Sequence, residues 1–295
     1  MITAVFFFAL YSRWIILSAA DDQYGVDTSF PIHHNFLTQS AQLDATKSVF
    51  GHHRIQTYSE FFSGCLRYYG KMNKAYLCHQ HEEQRLTLNK MQPRKMTNYT
   101  DVGFVKTKVS DDVWKMIQQF WKKHVDRVDG NIPWGLHNES WPEGNTYTNH
   151  WTSPTKLVPI MVDPNATEAI YKDVESQLRV WIPQATSFRR SNIYGIRVYT
   201  SGSILAPHVD RDPLVSSAII NVDQRVVEPW PLEAYDHEGR AHNLTLLPGE
   251  MILYESHSVL HGRPFALQGE YYANIFVHFK PEFDPVQASN DNGEL

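Results

Sequence analysis

Cysteine is nearly absent from this 295-residue chain: Cys65 and Cys78 are the only two. A disulfide-dense mini-scaffold and a zinc module held by four cysteines are therefore excluded. The pair allows either one disulfide in an oxidising compartment or two unpaired thiols in a core. A surplus of positive charge is also missing. Lys and Arg number 27 against 32 Asp and Glu, a net charge of −5, which argues against a polyanion such as nucleic acid as partner. Internal repeats and heptads are lacking, and only the first twenty-odd residues form a long apolar stretch, so solenoid, coiled-coil and multi-pass membrane classes fall away. Aromatic residues are plentiful at 13%, with 8 Trp and 15 Tyr, enough for a sizeable buried core rather than a disordered chain.

The N-terminal stretch MITAVFFFALYSRWIILSAADDQYG has two readings. A cleaved signal peptide would use Ala4 to Tyr11 and end after Ser18-Ala19-Ala20; a retained anchor would have to tolerate Arg13 in its middle. Four N-x-S/T sequons, at Asn98, Asn138, Asn165 and Asn243, fit a secretory route to the ER lumen or beyond. Membrane association is expected only if the anchor is retained.

Residues 21–110 mix polar and aromatic side chains without a sustained period and read as an irregular extension after the segment 1–20. His33-His34, His52-His53 and Cys78-His-Gln-His81 fit no closed zinc pattern and read as solvated. From 111 to 190 the pattern is helical support. Val113, Trp114, Ile117, Phe120 and Trp121 follow the caps Ser110 and Asp111. Ile170, Val174, Leu178 and Trp181 form a stripe between Asp163-Pro164 and Pro183. Residues 129–156 read as a long loop. From 191 to 282 short β-rich runs (193–199, 216–222, 232–235, 243–247, 251–255 and 271–279) alternate with turn signals, before a tail at 283–295. The class is α+β: a jelly-roll barrel buttressed by N-terminal helices.

The chemistry gathers in Pro207-His208-Val209-Asp210 and, 51 residues on, His261. In H-x-D on extended backbone the two side chains point to the same side. A His from a neighbouring strand end completes two imidazoles and one carboxylate, the facial triad of non-haem Fe(II) oxygenases, which leaves three adjacent metal positions open. His257 is the rival third ligand. Asn221 or Asn274 could orient the imidazoles, and Tyr194, Trp230 and Trp151 are candidates for a substrate rim. Two other readings use the same residues: a jelly-roll module that binds metal or sugar without turnover, and a zinc-dependent hydrolase with water in the open position.

The segment Asn192–Pro281 resembles the catalytic domain of the 2-oxoglutarate/Fe(II) dioxygenases of the prolyl 4-hydroxylase α-subunit type. The resemblance is carried by Tyr199-x-x-Gly202 before Pro207-His208-Val209-Asp210, by Pro248-Gly249-Glu250-Met-Ile-Leu-Tyr254, and by His261 followed by Gly269-Glu-Tyr-Tyr. It implies a double-stranded β-helix and an enzyme using Fe(II), 2-oxoglutarate, O2 and ascorbate to hydroxylate peptidyl proline or a related amino-acid side chain. It further implies His208, Asp210 and His261 as iron ligands, and Tyr199 lining the co-substrate pocket. One position departs from the family. Ten residues after the distal histidine, where collagen-type members have a lysine for the far carboxylate of 2-oxoglutarate, stands Tyr271. A buried carboxylate needs a cation. Arg197, two residues before Tyr199, is the first expectation and Arg263 the second, with the Tyr271 hydroxyl assisting either. The alkylated-nucleic-acid repair dioxygenases share H-x-D…H, but the acidic balance and apolar leader disfavour that substrate.

Overall fold

A computed structural model describes residues 30–38, 43–44, 52–125, 137–138 and 145–284. The expected leader 1–20 and the tail from 285 lie outside the described residues, as do residues 129–136 and 139–144 of the loop expected over 129–156. Two helices come first, α1 (His52–Gly70) and α2 (Tyr76–Met91), where an irregular extension was expected. This corrects the reading of 21–110. Helix α1 does carry an apolar face: Tyr58, Phe61, Phe62, Cys65 and Tyr69 are all buried. Tyrosines and polar neighbours dilute its period. Helix α2 buries Glu82, Arg85 and Asn89 alongside Cys78 and Leu86, so its inner face does not look apolar in sequence.

Strand β1 (Phe104–Lys108) precedes α3 (Asp111–Val125). The short strands β2 (His137–Asn138) and β3 (Lys156–Val158) lead to α4 (Pro164–Trp181). Both expected helices form where capping and periodicity put them. The Asp163 carboxylate accepts the Ala166 N–H at 3.0 Å with Pro164 in the first turn.

The remaining strands are β4 (Ser187–Thr200), β5 (Leu205–His208), β6 (Ser216–Val226), β7 (Leu232–Tyr235), β8 (Ala241–Leu244), β9 (Glu250–Tyr254), β10 (His261–Arg263) and β11 (Gly269–Glu282). They form two antiparallel sheets, one in the order β1-β9-β6-β11-β4-β3-β2 and the other β5-β10-β7-β8. The larger sheet therefore recruits β1, from before α3 and α4, as an edge. β4 begins at Ser187, inside the region expected to be helical.

Three apolar clusters hold these layers. Helices α3 and α4 bury Ile117, Ile170, Val174 and Leu178 against the outer face of the large sheet, on Ile196, Ala218 and Ile275. Between the sheets, Tyr199, Ile252, Tyr272 and Phe276 meet Leu232, Ala234 and Leu244. Helix α1, with Phe30 and Phe36, packs on Ile204 and Ala206 at β5. Mixed helices and antiparallel sheets of this kind suit a jelly-roll-like fold. No helix among the described residues is long and apolar enough to cross a membrane.

Cys65 and Cys78 form a disulfide that ties α1 to α2 across 13 positions. Closing a loop of that size contributes about 3 kcal/mol by restricting the unfolded chain. The Cys65→Ser/Cys78→Ser double variant is expected to lose about that much in urea denaturation. An unchanged midpoint would mean that the α1–α2 pair is held by packing alone.

Candidate metal centre

The register of β10 on β5 puts His261 directly opposite His208, and their rings lie 4.5 Å apart. That pairing needs Gly262. A Cβ there would come within 2.7 Å of Pro207 Cα and 2.8 Å of Leu205 O, so only glycine lets the two histidine-bearing strands approach this closely. Asp210 lies just past the end of β5. Its N–H donates to Ser256 O at 2.8 Å, turning the carboxylate back toward both rings. Asp210 Oδ1 is 3.6 Å from His208 Nε2 and 4.0 Å from His261 Nε2. One ligand atom from each of the three residues lies within 4.8 Å of the other two.

The proton positions follow from the neighbours. His208 Nδ1 is 2.8 Å from Ala206 O and His261 Nδ1 is 2.9 Å from Val259 O. A carbonyl can only accept, so each Nδ1 carries the hydrogen and each Nε2 presents a lone pair to the centre. The orienting partners are thus main-chain carbonyls, not Asn221 or Asn274. Asn221 instead bonds Ala273 O and Asn274. The other Asp210 oxygen, Oδ2, is buried with no hydrogen-bond partner among the described residues. Two lone pairs and a carboxylate converging in a buried space repel one another unless a cation lies between them. The donor set therefore fits a divalent metal.

His257 does not take part. Its Nδ1 lies 3.0 Å from Val215 O, its Nε2 3.3 Å from Thr97 O, and its ring stacks on Tyr99. His278, which the sequence pattern did not single out, sits beside the centre: Nδ1 is 3.8 Å from Asp210 Oδ2 and 2.6 Å from Ser217 Oγ. Burial lowers both His261 and His278 to about 4. Both are therefore neutral at neutral pH, as a metal-binding imidazole must be.

The residues expected around a co-substrate divide. Tyr199 is fully buried between the sheets and its hydroxyl has no partner among the described residues. Arg263 shares its strand with His261 and is fully buried, its guanidinium 4.8 Å from the ring centres of both Trp230 and Tyr272. Its Nε reaches Trp230 O at 3.4 Å, while Nη1 and Nη2 have no hydrogen-bond partner among the described residues. Arg197 is half-buried and lies 5.1 Å from the Phe276 ring. Tyr271 does not join this group. Its hydroxyl donates to Asp223 at 2.7 Å and it packs with the helix-side cluster, so the inward tyrosine is Tyr272. Of the expected rim residues, Trp230 lies in the core between the sheets, Tyr194 packs at its margin, and Trp151 packs on Phe61. A cavity of about 250 Å³ reaches Asp210 from outside and is lined by His81, Gln84, Tyr147 and Arg211 among others. Tyr147 also covers the His208 ring at 4.7 Å.

No family model matches the sequence, and no curated protein matches it. Solved structures do. A prolyl 4-hydroxylase of Pseudomonas putida matches at 17% identity and TM-score 0.43, covering 61% of this chain and 92% of its own. A Trichoplax adhaerens prolyl hydroxylase, solved with a peptide fragment of hypoxia inducible factor, matches at 11% identity and TM-score 0.43, covering 73% and 96%. HygX of Streptomyces hygroscopicus, solved with nickel, 2-oxoglutarate and hygromycin B, matches at 10% identity and TM-score 0.42, covering 62% and 84%. The likeness is to 2-oxoglutarate/Fe(II) oxygenases. It is a likeness of fold, and the chemistry of the site is carried by its own side chains.

The neutral buried histidines make metal-free stability depend on pH. Free imidazole titrates near 6.5, whereas His261 and His278 lie at about 4. Between those values the unfolded chain binds protons that the folded chain refuses. Their contribution to stability is therefore full above pH 6.5, falls as pH drops toward 4, and changes no further below. The loss amounts to about 3 kcal/mol per histidine over the window. Urea unfolding in EDTA at pH 7 and pH 4 measures it, and His278→Gln should flatten part of the slope.

Proposed function

We propose that this chain is an Fe(II)- and 2-oxoglutarate-dependent hydroxylase. It is built on a double-stranded β-helix and acts on peptidyl proline or a related amino-acid side chain. The observation that carries the reading is the convergence of two Nε2 lone pairs and the Asp210 carboxylate in a buried space, with Oδ2 lacking a hydrogen-bond partner among the described residues. His208, Asp210 and His261 would hold iron on one face and leave three adjacent positions free. Iron, when bound there, supplies the O2 chemistry that no side chain possesses. The sheet order supports the β-helix, since β5 and β10 alternate with strands of the other sheet along the sequence yet lie side by side.

The protein's own contribution is binding, orientation and exclusion of water. For the far carboxylate of 2-oxoglutarate we assign Arg263 ahead of Arg197. Two strand positions separate His261 from Arg263, about 6.6 Å of extended chain, which matches the reach of a five-carbon diacid. The two partnerless nitrogens of Arg263 can form parallel bonds to a carboxylate, and the Tyr199 hydroxyl can add a third. Trp230 and Tyr272 flank the Arg263 guanidinium with aromatic surface, so the charge pair would form away from solvent. Substrate would enter through the cavity at Asp210, between Tyr147 and Arg211 on one side and His81 and Gln84 of α2 on the other. O2 and ascorbate belong to the same reading. The disulfide supports folding in an oxidising compartment, hence the secretory pathway. Of the described sequons, Asn98 and Asn165 are exposed, whereas Asn243 is buried and unsuited to a glycan.

Anaerobic addition of Fe(II) and 2-oxoglutarate should produce a weak visible charge-transfer band in the wild type and none in Asp210→Ala. Arg263→Leu should keep metal affinity and lose roughly ten- to a hundred-fold in 2-oxoglutarate affinity, the worth of a charge-assisted pair at about 1.5–3 kcal/mol. Arg197→Ala should leave that affinity unchanged, and the opposite pattern would move the assignment to Arg197. Activity with zinc in the absence of oxygen would replace the oxygenase reading with a hydrolase.

A further inference from the structure

Helix α2 buries a stripe that is polar rather than apolar. Glu82, Arg85 and Asn89 are each no more than 1% exposed, and Gln92 caps the helix C-terminus. The spacing 82, 85, 89, 92 follows the helical period, so all four lie on one face. Three of them reach the main chain of the metal-binding segment. Arg85 Nη1 and Asn89 Nδ2 both donate to Pro207 O, the latter at 2.9 Å, on the residue before His208. Gln92 Nε2 donates to Asp210 O at 2.5 Å and to His257 O at 2.7 Å. The stripe is anchored on other sides as well. Arg85 Nη2 donates to Pro31 O at 3.0 Å and Asn89 Nδ2 to Ile32 O at 3.1 Å. Glu82 accepts from Arg85, from Tyr58 of α1 at 2.8 Å and from Thr146 at 3.1 Å.

The metal-binding segment needs such support. β5 ends at His208, so Val209 and Asp210 lie beyond the ladder. The carboxylate must nevertheless be held against both imidazoles. We propose that Asn89 and Gln92 are positioning residues for the metal ligands, fixing the carbonyls of Pro207 and Asp210 and through them the spacing of the donor atoms. An orienting group of this sort ordinarily acts on the ligand side chain. Here it acts on the backbone that carries two ligands, from a helix more than a hundred residues earlier in the chain. The proposal rests on the metal reading of His208, Asp210 and His261.

The test uses the full-length, disulfide-intact protein and Ni(II) alone as probe, titrated calorimetrically without 2-oxoglutarate. Co(II) absorption reports the coordination geometry. Gln92→Met and Asn89→Leu keep side-chain bulk and remove the donors. Each is expected to weaken Ni(II) binding by roughly ten- to a hundred-fold, the range for loss of groups that orient metal ligands, and to alter the Co(II) spectrum. Leu86→Ala, on the same helix and also buried, is expected to lower the unfolding midpoint and leave Ni(II) affinity and the spectrum as in wild type. Wild-type affinity and spectrum in both donor variants would overturn the proposal. So would an equal loss of affinity in Leu86→Ala, since α2 would then matter only as packing. Should Gln92→Met not fold, Asn89→Leu, which acts on Pro207, decides alone. Absence of Ni(II) binding in the wild type would instead overturn the metal reading itself.

Discussion

The pairing of β10 with β5 is the constraint on which the rest of the site depends. It sets His261 opposite His208, and it exists because Gly262 lets one backbone lie against Pro207 with no side chain between. A one-residue slip would turn His261 outward and bring Gly262 in, since strand side chains alternate. The same alternation sends Arg263 inward with His261. The register on β5 shifts between His261 and Arg263, yet β10 carries a candidate metal ligand and a buried cation two positions apart.

Around that pairing the protein neutralises its buried polar groups in contrasting ways. The imidazoles give their Nδ1 hydrogens to the carbonyls of Ala206 and Val259 and turn their lone pairs inward. Glu82 and Arg85 compensate each other and direct their remaining bonds to main-chain carbonyls and hydroxyls. Glu255, fully buried, is satisfied by the N–H groups of Tyr99 and Thr100 and the Thr100 hydroxyl. Among the buried polar atoms without a hydrogen-bond partner among the described residues are Asp210 Oδ2, Tyr199 Oη and both terminal nitrogens of Arg263. Buried polar groups are usually paired, and in the proposed reading a metal and a dicarboxylate would satisfy these four.

Much of the β portion was legible from residue pattern. Turn residues and short β-branched runs located most strands, and Asp163-Pro164 located the start of α4. The triad could be read from H-x-D and a distant histidine because both side chains of H-x-D fall on one side of extended backbone. Other features carried no local signal. Helix α2 escaped notice because its inner face is Glu82, Arg85 and Asn89, residues that normally mark a solvated surface. Strand β1 was hidden for a related reason: three of its five residues, Lys106, Thr107 and Lys108, are polar, as befits an edge.

The sequence alone determined the candidate donor set. Residue types and their spacing pointed to two imidazoles and a carboxylate near one another, and the family resemblance, with Tyr271 where collagen-type members have lysine, implied another cation. Only the tertiary structure decided which groups meet. It rotated Tyr271 out to Asp223 and Tyr272 in, removed His257 to hydrogen bonds with Val215 and Thr97, and brought α2 beneath the ligand segment. The physical reason is that side-chain direction is set by strand register and by contacts between segments far apart in the chain. Neither is encoded in local composition or period.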